Sequence, residues 1–90
     1  MLERTIAVIN PLGLHARAAA KLVRLATQFE SAVWLYRQDT GVEADAKSIL
    51  NVLYIAASCG VELKITVDGT DEIDAMKAVE QLFAAGFGEI

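Results

Sequence analysis

Runs in which apolar and polar residues alternate give way repeatedly to helical spacing along this chain, and the switches define its elements. Leu2 to Ile9 places Ile6 and Val8 on one face and Thr5 and Ala7 on the other, which predicts a first strand. From Ala16 to Phe29 the period becomes helical. Ala19, Leu22, Val23, Ala26 and Phe29 form one apolar stripe, while Arg17, Lys21, Arg24 and Gln28 fall on another face. Ser31 to Gln38 reads as a second strand, with Val33 and Leu35 opposed to Trp34 and Tyr36. Asp39-Thr40-Gly41 is a turn signal, after which Val42, Ala44 and Ala46 alternate with Glu43 and Asp45 in a strand that returns antiparallel.

Ser48 is placed to cap a second helix, with Ile49, Val52, Leu53 and Ala56 on its inward face and Gly60 at its end. Val61, Leu63, Ile65 and Val67 then alternate strictly with Glu62, Lys64, Thr66 and Asp68, so one face of the sheet is solvated. Beyond Gly69-Thr70, Asp71 is a candidate N-cap, and the acidic Glu72 and Asp74 suit the first turn of a final helix. That helix should carry Ile73, Met76, Val79, Leu82 and Phe83 inward and end at Gly86 and Gly88. Half-buried strands and one-sided helices in the order βαββαβα predict an α+β protein of two layers, an antiparallel sheet with all helices on one face. Residues 1–90 suit one domain. The pattern by itself leaves a ferredoxin-like strand order open.

The chain's one proline and one histidine both fall in Asn10-Pro11-Leu12-Gly13-Leu14-His15-Ala16-Arg17, where the first strand gives way to the first helix. Pro11 lacks an N–H and Gly13 tolerates positive φ, so the chain can turn after Ile9 and deliver His15 to the N-cap of the helix. The free N–H groups of a first helical turn, and the positive end of its dipole, favour an anion attached to or bound beside the ring. Phosphate is such an anion.

This segment, with the apolar run Ala18-Ala19-Ala20-Lys21-Leu22-Val23 after it, resembles the active-site segment of the histidine-containing phosphocarrier (HPr) family of the bacterial phosphoenolpyruvate-dependent phosphotransferase system. Ala46-Lys47-Ser48-Ile49-Leu50-Asn51-Val52-Leu53 is similar to the family's regulatory-serine segment, and the resemblance continues to the C-terminus. It implies an open-faced two-layer sandwich whose four strands lie in the order 1-4-2-3 under three helices. It further implies a carrier, not an enzyme, in which His15 accepts a phosphoryl group through Nδ1 from enzyme I and passes it to an enzyme IIA-type acceptor.

Within that resemblance Arg17 takes the place of the family's arginine and is expected to bind the phosphoryl group, for which its forked donors are suited. Arg17, Lys21 and Arg24 recur at helical spacing as a basic stripe, either a solvated face or a docking surface for an acidic partner. Leu12, Leu14, Ile49, Leu50 and Leu53 are expected to form the apolar centre of that surface, with Lys47 beside it. Ser48 is sufficiently explained as an N-cap, and its match to the family adds regulatory phosphorylation where an HPr kinase/phosphorylase exists. Two departures stand out. Ala18 replaces the proline usual after the arginine, which adds a backbone N–H and frees φ, and the hairpin is about two residues longer than in many relatives. The sugar and nitrogen-regulatory branches share this chemistry, with Lys47-Ser48 favouring the HPr type.

Composition narrows the alternatives. A formal net charge of −4 argues against a general binder of nucleic acid or of anionic membranes, which needs a basic surface. Cys59 is alone, so no intramolecular disulfide forms, and it reads as a small buried residue of a reducing compartment. No apolar run of signal-peptide or membrane-span type is present, so a cytoplasmic monomer without membrane insertion is expected. Asp68, Asp71, Glu72 and Asp74 are explained by a strand end and an acidic first helical turn, and no metal or cofactor is expected. The rival from another class is a ferredoxin-like regulatory domain that binds a small ligand or dimerises through the open sheet face bearing Trp34 and Tyr36.

Overall fold

In the computed structural model, which describes residues 1–89, the strands are β1 (Leu2–Ala7), β2 (Ala32–Arg37), β3 (Val42–Asp45) and β4 (Glu62–Asp68). The helices are α1 (Ala16–Thr27), α2 (Ile49–Ile55) and α3 (Glu72–Ala84), followed by a 3-10 turn over Gly86–Gly88. The strands pair antiparallel in the order β1-β4-β2-β3, as the resemblance implies, and not in a ferredoxin-like order.

The register explains the alternation in the sequence. Leu2, Arg4 and Ile6 stand opposite Val67, Ile65 and Leu63, while Val33 and Leu35 of β2 flank the same β4 residues from the other side. Leu63, Ile65, Val67, Val33 and Leu35 are all buried, and their neighbours in sequence turn to the other face. All three helices therefore pack on one side. α1 contributes Ala18, Ala19, Leu22 and Ala26, α2 contributes Val52 and Ile55, and α3 contributes Ala75, Met76, Val79 and Phe83. Burying a side chain such as Leu22 stabilises the fold by about 1.5–3 kcal/mol, and its small alanine neighbours let α1 approach the sheet closely.

Several expectations are corrected. β1 ends at Ala7, although Val8 continues the connection by donating to the Val61 carbonyl (2.9 Å) and accepting from Gly60 N–H (2.7 Å). α2 buries Val52 and Ile55, not Ile49 and Ala56. It stops at Ala56, which adopts a left-handed conformation (φ 52°) well before Gly60, and Arg37 Nη1 donates to the carbonyls of Ile55 (3.1 Å) and Ala56 (2.9 Å) at that end. Ile73 is exposed because the buried stripe of α3 runs through Ala75, Met76, Val79 and Phe83, and at ~100° per residue Ile73 lies about 100° round the helix from its centre. Asp71 caps α3 through its backbone only. Its carboxylate instead accepts from Glu30 N–H, Ser31 N–H and the Ser31 hydroxyl, which fastens the α1–β2 connection to the start of α3. Cys59 is exposed, not buried, because it lies in the α2–β4 connection, where its thiol reaches the Ile9 carbonyl at 3.7 Å.

Candidate functional site

The loop from β1 to α1 is fixed at both ends. Gly13 donates to the Asn10 carbonyl (3.0 Å) and takes a φ of 67°, and a Cβ there would lie 2.5 Å from the Ala57 oxygen, so only glycine fits without strain. Leu14 then donates to that same Ala57 oxygen (2.8 Å) and inserts its side chain into the core. The loop is thus riveted to the residues that follow α2, and His15 has little freedom in where it starts α1.

His15 is the N-cap, extended at φ −76° and ψ 179°. Its carbonyl accepts from Ala19 N–H (2.8 Å), and its Nδ1 accepts from Arg17 N–H (3.3 Å). On the far side of the ring, Nε2 lies 2.5 Å from Glu89 Oε2. These two contacts fix the tautomer. An Nδ1 that accepts a backbone N–H carries a lone pair, so the ring proton sits on Nε2 and is donated to the carboxylate.

Glu89 is itself held. Asn10, fully buried, donates from Nδ2 to Glu89 Oε1 (2.9 Å) and to the Gly13 carbonyl (2.7 Å). The tail that carries Glu89 is anchored by Phe87, buried edge-on against Phe83 at 4.9 Å, and by Lys21, whose Nζ donates to the Phe87 carbonyl at 2.6 Å. The Asn10 amide first, then the hydrogen bond from His15 and the charge of Lys21, hold the Glu89 carboxyl below its ordinary range against the opposing effect of burial. Neither Glu89 nor the role of Asn10 follows from hydrophobic pattern. A carboxylate near the end of a chain gives no signal of what it touches, and Asn10 reads only as a turn residue.

The other candidate residues divide. Arg17 is exposed, and among the described residues its guanidinium makes no hydrogen bond or ion pair, so it is available beside His15. Arg24 is exposed further along α1, while Lys21 lies between them with its ammonium committed to the tail. Leu12 stands out at 71% exposure, and Leu14 is corrected to the core, because the Gly13 turn points it inward. Lys47 is turned away from the His15 end of α1, its Nζ donating to the Phe29 carbonyl just past the other end. Ser48 caps α2 by accepting from Asn51 N–H (3.4 Å), at the opposite end of that helix from the Ala57 contact with the loop. Ile49 and Leu50 are exposed and Leu53 packs partly on the core. Tyr54, one turn from Leu50 and equally exposed, extends that apolar surface, a position to which no sequence signal points. Ala18 is buried in the first turn of α1, where its N–H lies among those with no partner four residues back.

Residues 2–85 match the family described as "PTS HPr component phosphorylation site". The chain is 48% identical over 89 residues to phosphocarrier protein HPr of Cupriavidus necator, covering 99% of this chain and 98% of that one. It is 38% identical over 87 residues to phosphocarrier protein NPr of Escherichia coli, covering 97% and 96%. The solved structure of HPr-C-His from Thermoanaerobacter tengcongensis superposes with a TM-score of 0.94 at 38% identity, covering 100% of this chain and 99% of that one. The class these likenesses define is the phosphocarrier, a protein that conveys a phosphoryl group between others and is not itself an enzyme. The chain belongs to the HPr family of the phosphotransferase system.

Proposed function

We propose that His15 accepts the phosphoryl group on Nδ1 from phosphorylated enzyme I and releases it to an enzyme IIA-type acceptor. The observation that carries this reading is the pair of contacts on the ring, Arg17 N–H on Nδ1 at the N-terminus of α1 and the Glu89 carboxylate on Nε2, which leaves a lone pair on Nδ1. In the transfer, the Nδ1 lone pair attacks phosphorus while the bond from phosphorus to the donor breaks and its electron pair returns to the donor. The ring gains positive charge as the new bond forms, and the Glu89 carboxylate on Nε2 stabilises it. Arg17 N–H gives up Nδ1 to phosphorus and turns to a phosphoryl oxygen, joined by the other free N–H groups of the first turn, Ala18 included, and by the Arg17 guanidinium.

Docking falls to an exposed surface that runs from the β1–α1 loop along α2. Leu12, Ile49, Leu50 and Tyr54 supply apolar contact, Leu53 lies partly beneath them, and Arg17 and Arg24 supply positive charge toward an acidic partner. Ser48, at the head of α2, is a site at which an HPr kinase/phosphorylase would add charge to this surface. The chain acts as one phosphocarrier domain, a cytoplasmic monomer that needs no cofactor of its own. Among the described residues no helix is long and apolar enough to cross a membrane. The Lys47-Ser48 pair, and the greater identity to an HPr than to an NPr, favour the carbohydrate branch over the nitrogen-regulatory one. The test is incubation with phosphoenolpyruvate and catalytic enzyme I. A label that appears on the protein, is lost in acid, survives alkali and passes on to an enzyme IIA supports the proposal; a label stable in acid, or none, refutes it.

A further inference from the structure

The helix-free face of the sheet takes no part in phosphoryl transfer, yet it carries the chain's one tryptophan, which is 42% exposed. Trp34 sits on the central strand β2 with Asp45 directly across on β3, and Tyr36, two residues on, has Glu43 directly across. Each aromatic ring on this face is therefore paired with a carboxylate. β1 and β4 add Glu3, Glu62 and Asp68 on the same side, against two cations, Lys64 and the Met1 ammonium, the latter 3.7 Å from Asp68. Lys64 is within 3.5 Å of Glu3, and its ammonium lies 5.8 Å from the centre of the Tyr36 ring, so one cation of the chain already uses this surface. Among the described residues Glu43 and Glu62 have no counter-ion. Between Trp34, Tyr36, Glu43 and Glu3 the face dips into a shallow depression of about 420 Å³.

Rings flanked by carboxylates are the surroundings a guanidinium prefers, since it stacks flat on an indole while its edge donates to the acid. The same charges oppose other occupants. A second copy placed face to face would set these acids against their own images, and phosphates of nucleic acid or lipid would be repelled. We propose that this face docks an arginine-bearing segment of a partner protein, on the opposite side of the sheet from His15 and independently of phosphoryl transfer.

The test is titration of 15N-labelled protein at physiological salt with a blocked Arg-Gly-Arg-Gly-Arg peptide, read by amide and indole shifts and by Trp34 fluorescence. Shifts confined to open-face positions of β1, β2, β3 and β4 are expected, with enzyme I-dependent phosphoryl transfer unchanged at saturating peptide. Trp34→Ala should weaken binding about two- to fivefold, and Glu43→Gln, at an exposed position, should weaken it while the circular dichroism stays native. Asp74→Asn, which removes an exposed acid of α3, should leave it unchanged. Shifts spread over acidic residues generally, or equal losses from Glu43→Gln and Asp74→Asn, would reduce the interaction to net charge and overturn the proposal. Concentration-dependent shifts of the same face without peptide would place a second copy there and overturn it as well.

Discussion

His15 donates from Nε2 to a Glu89 carboxylate 2.5 Å away, a contact across 74 positions of sequence that decides which ring nitrogen keeps its lone pair. Replacing Glu89 with alanine should free the tautomer, so that 15N histidine spectra show a mixture where the native protein shows Nε2–H. Phosphoryl acceptance should slow by about tenfold, from loss of a charge-assisted hydrogen bond that strengthens as the ring becomes cationic. Unchanged tautomer and rate would show that the contact is passive.

The same carboxylate sets a pH dependence. Its folded pKa lies below the ordinary 4.5, so the tether to Asn10 and His15 contributes stability that is present above that value and is lost as pH falls through the depressed folded pKa. A carbon-13 titration of Glu89 should therefore show a midpoint below 4.5, and Asn10→Ala, which removes the first cause of the depression, should raise it.

Gly13→Ala should be costly despite its small size. Left-handed backbone costs a residue with a Cβ about 1–2 kcal/mol, and the added methyl meets the Ala57 oxygen at 2.5 Å, so the loop must move away from the residues after α2. Urea unfolding should show that loss or more, and phosphoryl acceptance should fall with it because His15 shifts relative to Glu89. Gly41→Ala, where φ is 75° but nothing lies within 4 Å, should show the backbone cost alone and leave transfer intact.

Arg17→Ala should lower the transfer rate at saturating partner by roughly 10- to 100-fold, since its free guanidinium stands beside His15. Arg24→Ala should act on association, with an effect that shrinks at high salt as long-range attraction is screened. Equal, salt-independent losses in both variants would contradict the division. Ser48→Asp should raise the concentration of enzyme I needed for half-maximal rate without melting α2, because a carboxylate at a helix N-terminus accepts from free N–H groups. A defect that persists at saturating enzyme I would place Ser48 within reach of the chemistry instead.

What the sequence reveals follows the range of the interactions involved. The strict alternation from Val61 to Asp68 and the stripe of Ala19, Leu22 and Ala26 are local patterns imposed by one packed face, and the structure reproduces both. His15 at the N-cap was legible because Pro11, Gly13 and the change of period all point to it. Glu89 was not, since its contact depends on Phe87 folding back against Phe83. Leu14, buried, and Cys59, exposed, depart from expectation for a related reason. Whether a loop residue faces the core or solvent is set by turns such as that at Gly13, which periodicity does not describe. Ile49 and Ile73 show the remaining failure, in which an apolar residue in the first turn of a helix is read as belonging to a stripe that begins further on.

The most direct test of the phosphohistidine is the NMR spectrum of 15N-histidine-labelled protein after enzyme I and phosphoenolpyruvate. One phosphorus should be bonded to Nδ1 of His15 with the proton still on Nε2, and His15→Ala, with native circular dichroism, should take up none. Phosphorus on Nε2, or a His15→Ala protein that is still labelled, would contradict the assignment of His15 Nδ1 as the carrier atom.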